Sequence, residues 1–121
     1  MAYLDITPKK YNLFENVIGD DWRIPIPVKQ SDRVTAWDFE GWEGFARVRF
    51  KSKDGSIVAT FDTYDGTMLL QAGYIYLIAD KDVTAQFTAG TYVWDCTFLE
   101  PVLGLTRTLI IESIFEIINK L

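Results

Sequence analysis

The sequence predicts an all-β, antiparallel sandwich, and three observations predict it. Turn signals recur roughly every ten residues, the spacing of short antiparallel strands. The stretches between them alternate: in "GFARVRFKS", Ala46, Val48 and Phe50 fall on one face and Arg47, Arg49 and Lys51 on the other. Aromatic residues are abundant, with four Trp, six Tyr and eight Phe, types that suit pleated surfaces and interfaces. The 121 residues make one domain, long enough to bury a core without disulfides or metal.

Residues 1–18 read as an N-terminal arm ahead of a sandwich domain over 19–121. The Pro-broken stretch from Asp5 to Val28 fits an extended segment that pairs along a neighbouring subunit's sheet edge, with Tyr11 and Phe14 as interface candidates. "RIPIPVK" carries Pro25 and Pro27, which cannot donate to a ladder, so it belongs to an edge strand or the arm. After "GFARVRFKS" comes Asp54-Gly55, a two-residue hairpin signal, then "SIVATFDT" and a second turn at Asp65-Gly66. "YIYLIA" and "TYVWDCTF" read as further strands. In "LTRTLIIESIFEIINKL" a strand is expected through about Ile111. Beyond it, Glu112, Glu116, Asn119 and Lys120 share a helical face, while the Ile and Phe content favours a strand.

Phe87, Gly90 and Tyr92 have the spacing of a tyrosine corner, in which a Tyr at the start of a late strand hydrogen-bonds back across the preceding bend. Gly90 can take the backbone conformation of a tight corner, and Phe87 can plug the core below it. A strand's period of two then turns Trp94, Cys96 and Phe98 inward with Tyr92, and leaves Val93, Asp95 and Thr97 outside. Trp94 occupies the place where an antibody-type domain carries the second cysteine of its inter-sheet disulfide, so the fold expected is an immunoglobulin-like Greek-key sandwich filled by an indole. Asp95 becomes an outward strand residue rather than a catalyst. It is expected to pair across strands with Arg47 or Arg49, or with Arg107 on the next strand.

The formal charge of −5 argues against a phosphate-binding surface. Arg47, Arg49, Lys51 and Lys53 are the only basic cluster, and their alternate spacing is that of one exposed strand face. Cys96 is the single cysteine and there is no His, so no disulfide, zinc site or activated thiol can be assembled. No apolar run reaches membrane-spanning length, and "MAYLDITPKKYNLF" places its basic residues after its first apolar ones, unlike a signal peptide. The reading is therefore a cytosolically made protein with no cofactor, no nucleic-acid partner and no membrane.

Asp20 with Asp21, Asp62 with Asp65, and Asp80 with Asp82 lack the pattern of a calcium loop and fit turn and strand-end capping instead. Glu40 and Glu43, beside Trp37 and Trp42, are the best available pair for glycosidase chemistry, but no nucleophile and base can be named, so no enzymatic activity is expected. Trp22, Trp37 and Trp42 divide between core anchors and exposed platforms. Exposed, they would serve as protein-interface hot spots or as stacking surfaces for a sugar.

The order of several phrases resembles a family of small bacteriophage and prophage virion-associated proteins: "GDDW" at 19–22, "WDFEGW" at 37–42, "FARVRF" at 45–50, "VTAQFTAGTYVWD" at 83–95, then "RTLIIES". Phe39-Glu40 stand where that family has Leu-Thr, and Ser113 falls near a customary Gly. The resemblance implies an immunoglobulin-like sandwich in a phage head, neck or tail, and no active site. The function expected is that of a non-enzymatic structural protein of the virion, made in the bacterial host cytoplasm. It would contact other virion proteins and assemble in several copies through edges, termini and exposed aromatics. The alternative is a small carbohydrate-binding module using exposed Trp residues.

Overall fold

A computed structural model describes residues 10–28, 38–50, 55–71 and 73–119. Eight strands and one helical turn follow in order: β1 (Leu13–Val17), β2 (Trp22–Pro27), β3 (Glu43–Phe50), β4 (Ile57–Asp62), β5 (Met68–Gln71), β6 (Tyr74–Ala79), α1 (Lys81–Thr84), β7 (Gly90–Leu99) and β8 (Thr106–Ile118). The protein is all-β, as its turn spacing predicts. One sheet has five strands in the order β1-β8-β7-β3-β4; the other has three, β2-β6-β5. Both contribute to one apolar core, in which Trp94, Phe98 and Phe115 of the larger sheet meet Ile26, Ile75 and Leu77 of the smaller, all fully buried.

β7 pairs with β3 in the register that alternation demands. Ala46 lies opposite Cys96 and Val48 opposite Trp94, all pointing into the core; Arg47 lies opposite Asp95 on the outside. Phe50 has the inward register, opposite Tyr92, but sits at the end of its strand and stays half exposed with its ring against that tyrosine. Gly44 lies opposite Phe98, whose ring covers the glycine: a Cβ built there would come within 2.4 Å of the ring. The missing side chain is what lets Phe98 lie flat on β3.

The tyrosine corner closes through a hydrogen bond of 2.6 Å from the Tyr92 hydroxyl to the Thr88 carbonyl. Gly90 does not need the left-handed conformation expected of it; it is absent from the positive-φ glycines, and a Cβ there would make only ordinary contact with the Tyr92 ring. The bend is instead set up by α1 just upstream, where Asp80 caps the N-terminus by accepting from the amides of Asp82 and Val83. Phe87 is half-buried, with its ring stacked on Trp22 at 5.4 Å.

The arm needs correction. Residues 10–18 do not extend away from the body, because β1 runs parallel to β8 within the same sheet and buries Leu13 and Asn16. Trp94 donates its indole N–H to the Tyr11 carbonyl (2.9 Å), the Tyr11 amide donates to Ser113 Oγ (2.8 Å), and Asn16 donates to the Glu116 carbonyl (2.8 Å). Alternation could not reveal this strand, since a bulge at Glu15, with φ of 58°, places two inward residues three apart. For residues 10–18 the division at residue 18 therefore separates nothing, and residues 1–9 lie outside the described residues.

β8 also carries a bulge. Trp94 pairs with Ser113 and Cys96 with Ile110, so Ile111 and Glu112 together oppose Asp95. A second extra residue, Leu109, falls between the Cys96–Ile110 and Thr97–Thr108 pairs, and the two together break the alternation within one strand of 13 residues. β2 is an edge strand, as its prolines require. The Val28 amide bonds the Gly73 carbonyl of the β6 side at 2.8 Å, so alternate residues place Pro25 and Pro27 where an N–H would face away from the sheet. The Asp65-Gly66 turn has Gly66 at φ of 83° and joins β4 to β5, so it passes the chain between sheets rather than closing a hairpin.

Gly44→Ala is expected to cost about 1–3 kcal/mol in urea unfolding, because the Phe98 ring must leave its rotamer to admit the methyl group. Tyr92→Phe removes only the corner hydrogen bond. Its expected cost is about 1 kcal/mol, and an unchanged midpoint would show that the corner is held by packing alone.

Candidate functional site

The outward positions of β3, β7 and β8 surround a hollow of about 450 Å³, lined among others by Phe45, Arg47, Arg49, Asp95, Thr97 and Glu112. The β7 register brings Asp95 to Arg47 as expected, and the bulge in β8 brings Glu112 beside it. Each guanidinium has a further anchor: Arg47 lies over the Phe45 ring at 4.5 Å from its centroid, and Arg49 donates to the Gly55 carbonyl at 3.3 Å. Burial pushes the Asp95 carboxyl above its ordinary value, against the pull of Arg49 and Arg47, so desolvation outweighs the two charges. Arg107 lies instead opposite Phe98 in the register. Lys51 and Lys53, the rest of the basic cluster, lie outside the described residues.

Cys96, next in the chain, points the opposite way. It is fully buried, and that burial, with the Asp95 charge adding to it, raises its thiol far above the usual range. A thiol so placed stays protonated and packs as a small apolar group.

Several of the other acids bond backbone amides at turns. Asp21 accepts from the Lys81 amide at 2.7 Å, and the Asp20 carbonyl accepts from the Thr84 hydroxyl at 2.7 Å, tying the Gly-Asp-Asp turn to α1. Asp62 accepts from the Asp65 amide, and hydrogen bonds from Thr67 hold the Asp65 carboxyl below its usual value. Glu40 and Glu43 line different hollows, one beside Trp42 and Leu70 and the other beside Phe45 and Leu99, so they do not flank a shared cleft. Among the described residues no three His, Cys, Asp or Glu side chains gather as a metal site.

Among the described residues the tryptophans do not form a row. Trp22 is 5% exposed, with its ring 5.7 Å from Phe115 and its N–H on the Val17 carbonyl. That placement corrects its reading as an exposed platform: both faces and the polar edge are used inside the protein. Trp42 is half-buried against Phe39 and Phe98. Phe115 sits opposite Tyr92, and Phe98 is six residues further along β7, so the two indoles are separated by roughly 20 Å of strand. Trp37 lies outside the described residues. Of the other interface candidates, Tyr11 packs partly into the core, whereas Phe14 is 57% exposed on the outer side of β1.

One exposed aliphatic feature among the described residues was not among the sequence candidates. The β7–β8 loop holds Val102 at 85% exposure and Leu103 at 68%, with Leu99 and Leu105 also exposed on either side. It is firmly built. Both oxygens of the Glu100 carboxylate accept backbone amides, from Val102 (2.8 Å) and Leu103 (3.0 Å). The Glu100 amide donates to the Leu105 carbonyl, and its own carbonyl accepts from Gly104, whose φ is 68°. The signal was present in "EPVLGL": a Pro-Gly turn filled with aliphatic rather than polar residues.

With this geometry in hand, comparisons with protein-family models, with curated proteins and with solved structures found no match.

The Asp95 environment makes stability depend on pH. The folded protein holds the Asp95 proton more tightly than the unfolded chain does. The stability this contributes is full below the ordinary carboxylate range and is lost as pH rises through the folded value. Asp95→Asn carries no charge at any pH. It is expected to be more stable than the parent at neutral pH, with the margin closing below about pH 4 in parallel urea titrations. A variant less stable than the parent at neutral pH would show that attraction to the arginines outweighs burial.

Proposed function

We propose that this chain is a non-enzymatic structural subunit of a bacteriophage or prophage particle, an immunoglobulin-like Greek-key sandwich acting through protein–protein contacts. The strand order supports the fold: β3, β7 and β8 correspond to the C, F and G strands, β4 adds beside β3 as in variable-type domains, and β2, β6 and β5 correspond to B, E and D. The Tyr92 hydroxyl on the Thr88 carbonyl supports it too. The ordered phrases from "GDDW" to "RTLIIES" support the particle assignment.

The observation that carries the interaction role is the surface. Val93 lies opposite Ile114 on the outer face, and Phe14 follows on the adjoining strand, so an apolar stripe crosses β7, β8 and β1 beside the Asp95 hollow. A second apolar patch is the β7–β8 loop. Apolar surface next to arginines and aromatics is what interfaces select. The carbohydrate-binding alternative loses Trp22 to the core, and among the described residues no indole row supports it.

Mass spectrometry of purified particles from the strain that encodes the chain tests this reading. Peptides from the chain are expected in the particles at several copies each. Their presence in the lysate but absence from purified particles would overturn the proposal.

A further inference from the structure

Asp65-Gly66 is the kind of dipeptide at which a chain can rearrange without an enzyme or an oxidant. The glycine backbone nitrogen attacks the aspartate Cγ and a C–N bond forms, while the carboxyl OH leaves with the amide proton as water. The five-membered succinimide then takes water back at either carbonyl. One product is aspartate again; the other is isoaspartate, whose main chain runs through the side chain and is one carbon longer. Glycine favours the attack because it has no side chain to obstruct it. Both residues are exposed at the turn between β4 and β5, so burial does not shield the bond.

The carboxyl is held instead by Thr67. Oδ1 of Asp65 accepts from the Thr67 amide at 3.0 Å and from the Thr67 hydroxyl at 2.5 Å. The Asp65 amide in turn donates to Asp62 Oδ1 (2.8 Å), and the Asp62 amide donates to the Thr67 hydroxyl (2.9 Å), so the turn is tied at both ends. These bonds oppose ring closure in two ways. They favour the ionised carboxylate and lower its pKa, whereas loss of water needs the neutral acid. They also hold the carboxyl toward residue 67, and both must loosen before Cγ can turn to meet the Gly66 nitrogen. Backbone length matters at this place. The Thr67 carbonyl accepts from the Ile78 amide at 2.7 Å and Met68 is buried, so an added main-chain carbon would displace the start of β5.

We propose that Thr67 acts as a chemical lock on the Asp65-Gly66 bond, slowing its isomerisation by clamping the Asp65 carboxyl through two hydrogen bonds. The lock is independent of the particle-subunit reading.

The full chain is held at about pH 5, above the ordinary aspartate range, folded in one arm and in guanidinium chloride in the other. Isoaspartate at residue 65 is then quantified by peptide mapping with electron-transfer fragmentation. The folded parent is expected to accumulate it about tenfold or more slowly than the unfolded chain, the combined effect of two hydrogen bonds. Thr67→Val keeps the size and the backbone amide but removes the hydroxyl, and is expected to isomerise about fivefold faster than the folded parent. Thr67→Ser keeps the hydroxyl and is expected to stay near the parent rate. Because the neutral acid is the reactive form, the gap between Thr67→Val and the parent is expected to narrow as pH falls through the folded value of Asp65. A folded parent that isomerises as fast as the unfolded chain would overturn the proposal, as would a Thr67→Val variant as slow as the parent. A Thr67→Ser variant as fast as Thr67→Val would also overturn it, because packing of the turn rather than the hydroxyl would then set the rate.

Discussion

Burying the indole of Trp94 commits the rest of β7. The side chain is inaccessible to solvent, so its N–H needs an acceptor inside the protein, and the Tyr11 carbonyl supplies it at 2.9 Å. That bond draws the N-terminal segment onto β8 and makes β1 part of the sheet. With Trp94 inward, the two-residue period turns Tyr92, Cys96 and Phe98 inward and sends Val93, Asp95 and Thr97 out. One residue of slippage would put a carboxylate in the core and an indole in water, so the register is strongly specified.

The outer face inherits its character from that register. Asp95 and Arg47 are placed opposite each other, yet half-burial makes the carboxylate's charge a net cost rather than a gain. The other acids of this acidic chain serve different ends: Asp21, Asp62, Asp65 and Asp80 satisfy backbone amides at turns and at the start of α1. Those bonds set where the chain changes sheet. The loop between β7 and β8, by contrast, presents aliphatic Val102 and Leu103 to solvent.

Much of the fold was legible because it rests on local chemistry. The alternation of "GFARVRFKS", the two prolines of β2 and the Tyr92 corner each constrain their own stretch of backbone, whatever lies around it. The misreading and the open question have a common cause. β1 and β8 both carry bulges, and each extra residue shifts the phase of the pattern, so an arm was expected in one case, and in the other the end of the segment stayed open between strand and helix, with its Ile and Phe content favouring the strand it forms. At the corner Gly90 keeps an ordinary φ, so the conformational freedom its identity offers is not used there.

The candidate site divides along the same line. The sequence by itself determined that Asp95 faces outward and that Cys96 is a buried, inert thiol, because residue identity and a period of two are enough for those conclusions. Only the tertiary structure decided that Trp22 belongs to the core, that Glu40 and Glu43 face separate hollows, and that Val102 and Leu103 stand in solvent. Those are questions of which distant segments share space. A side chain's burial depends on the neighbours brought over it, and no local pattern carries that information.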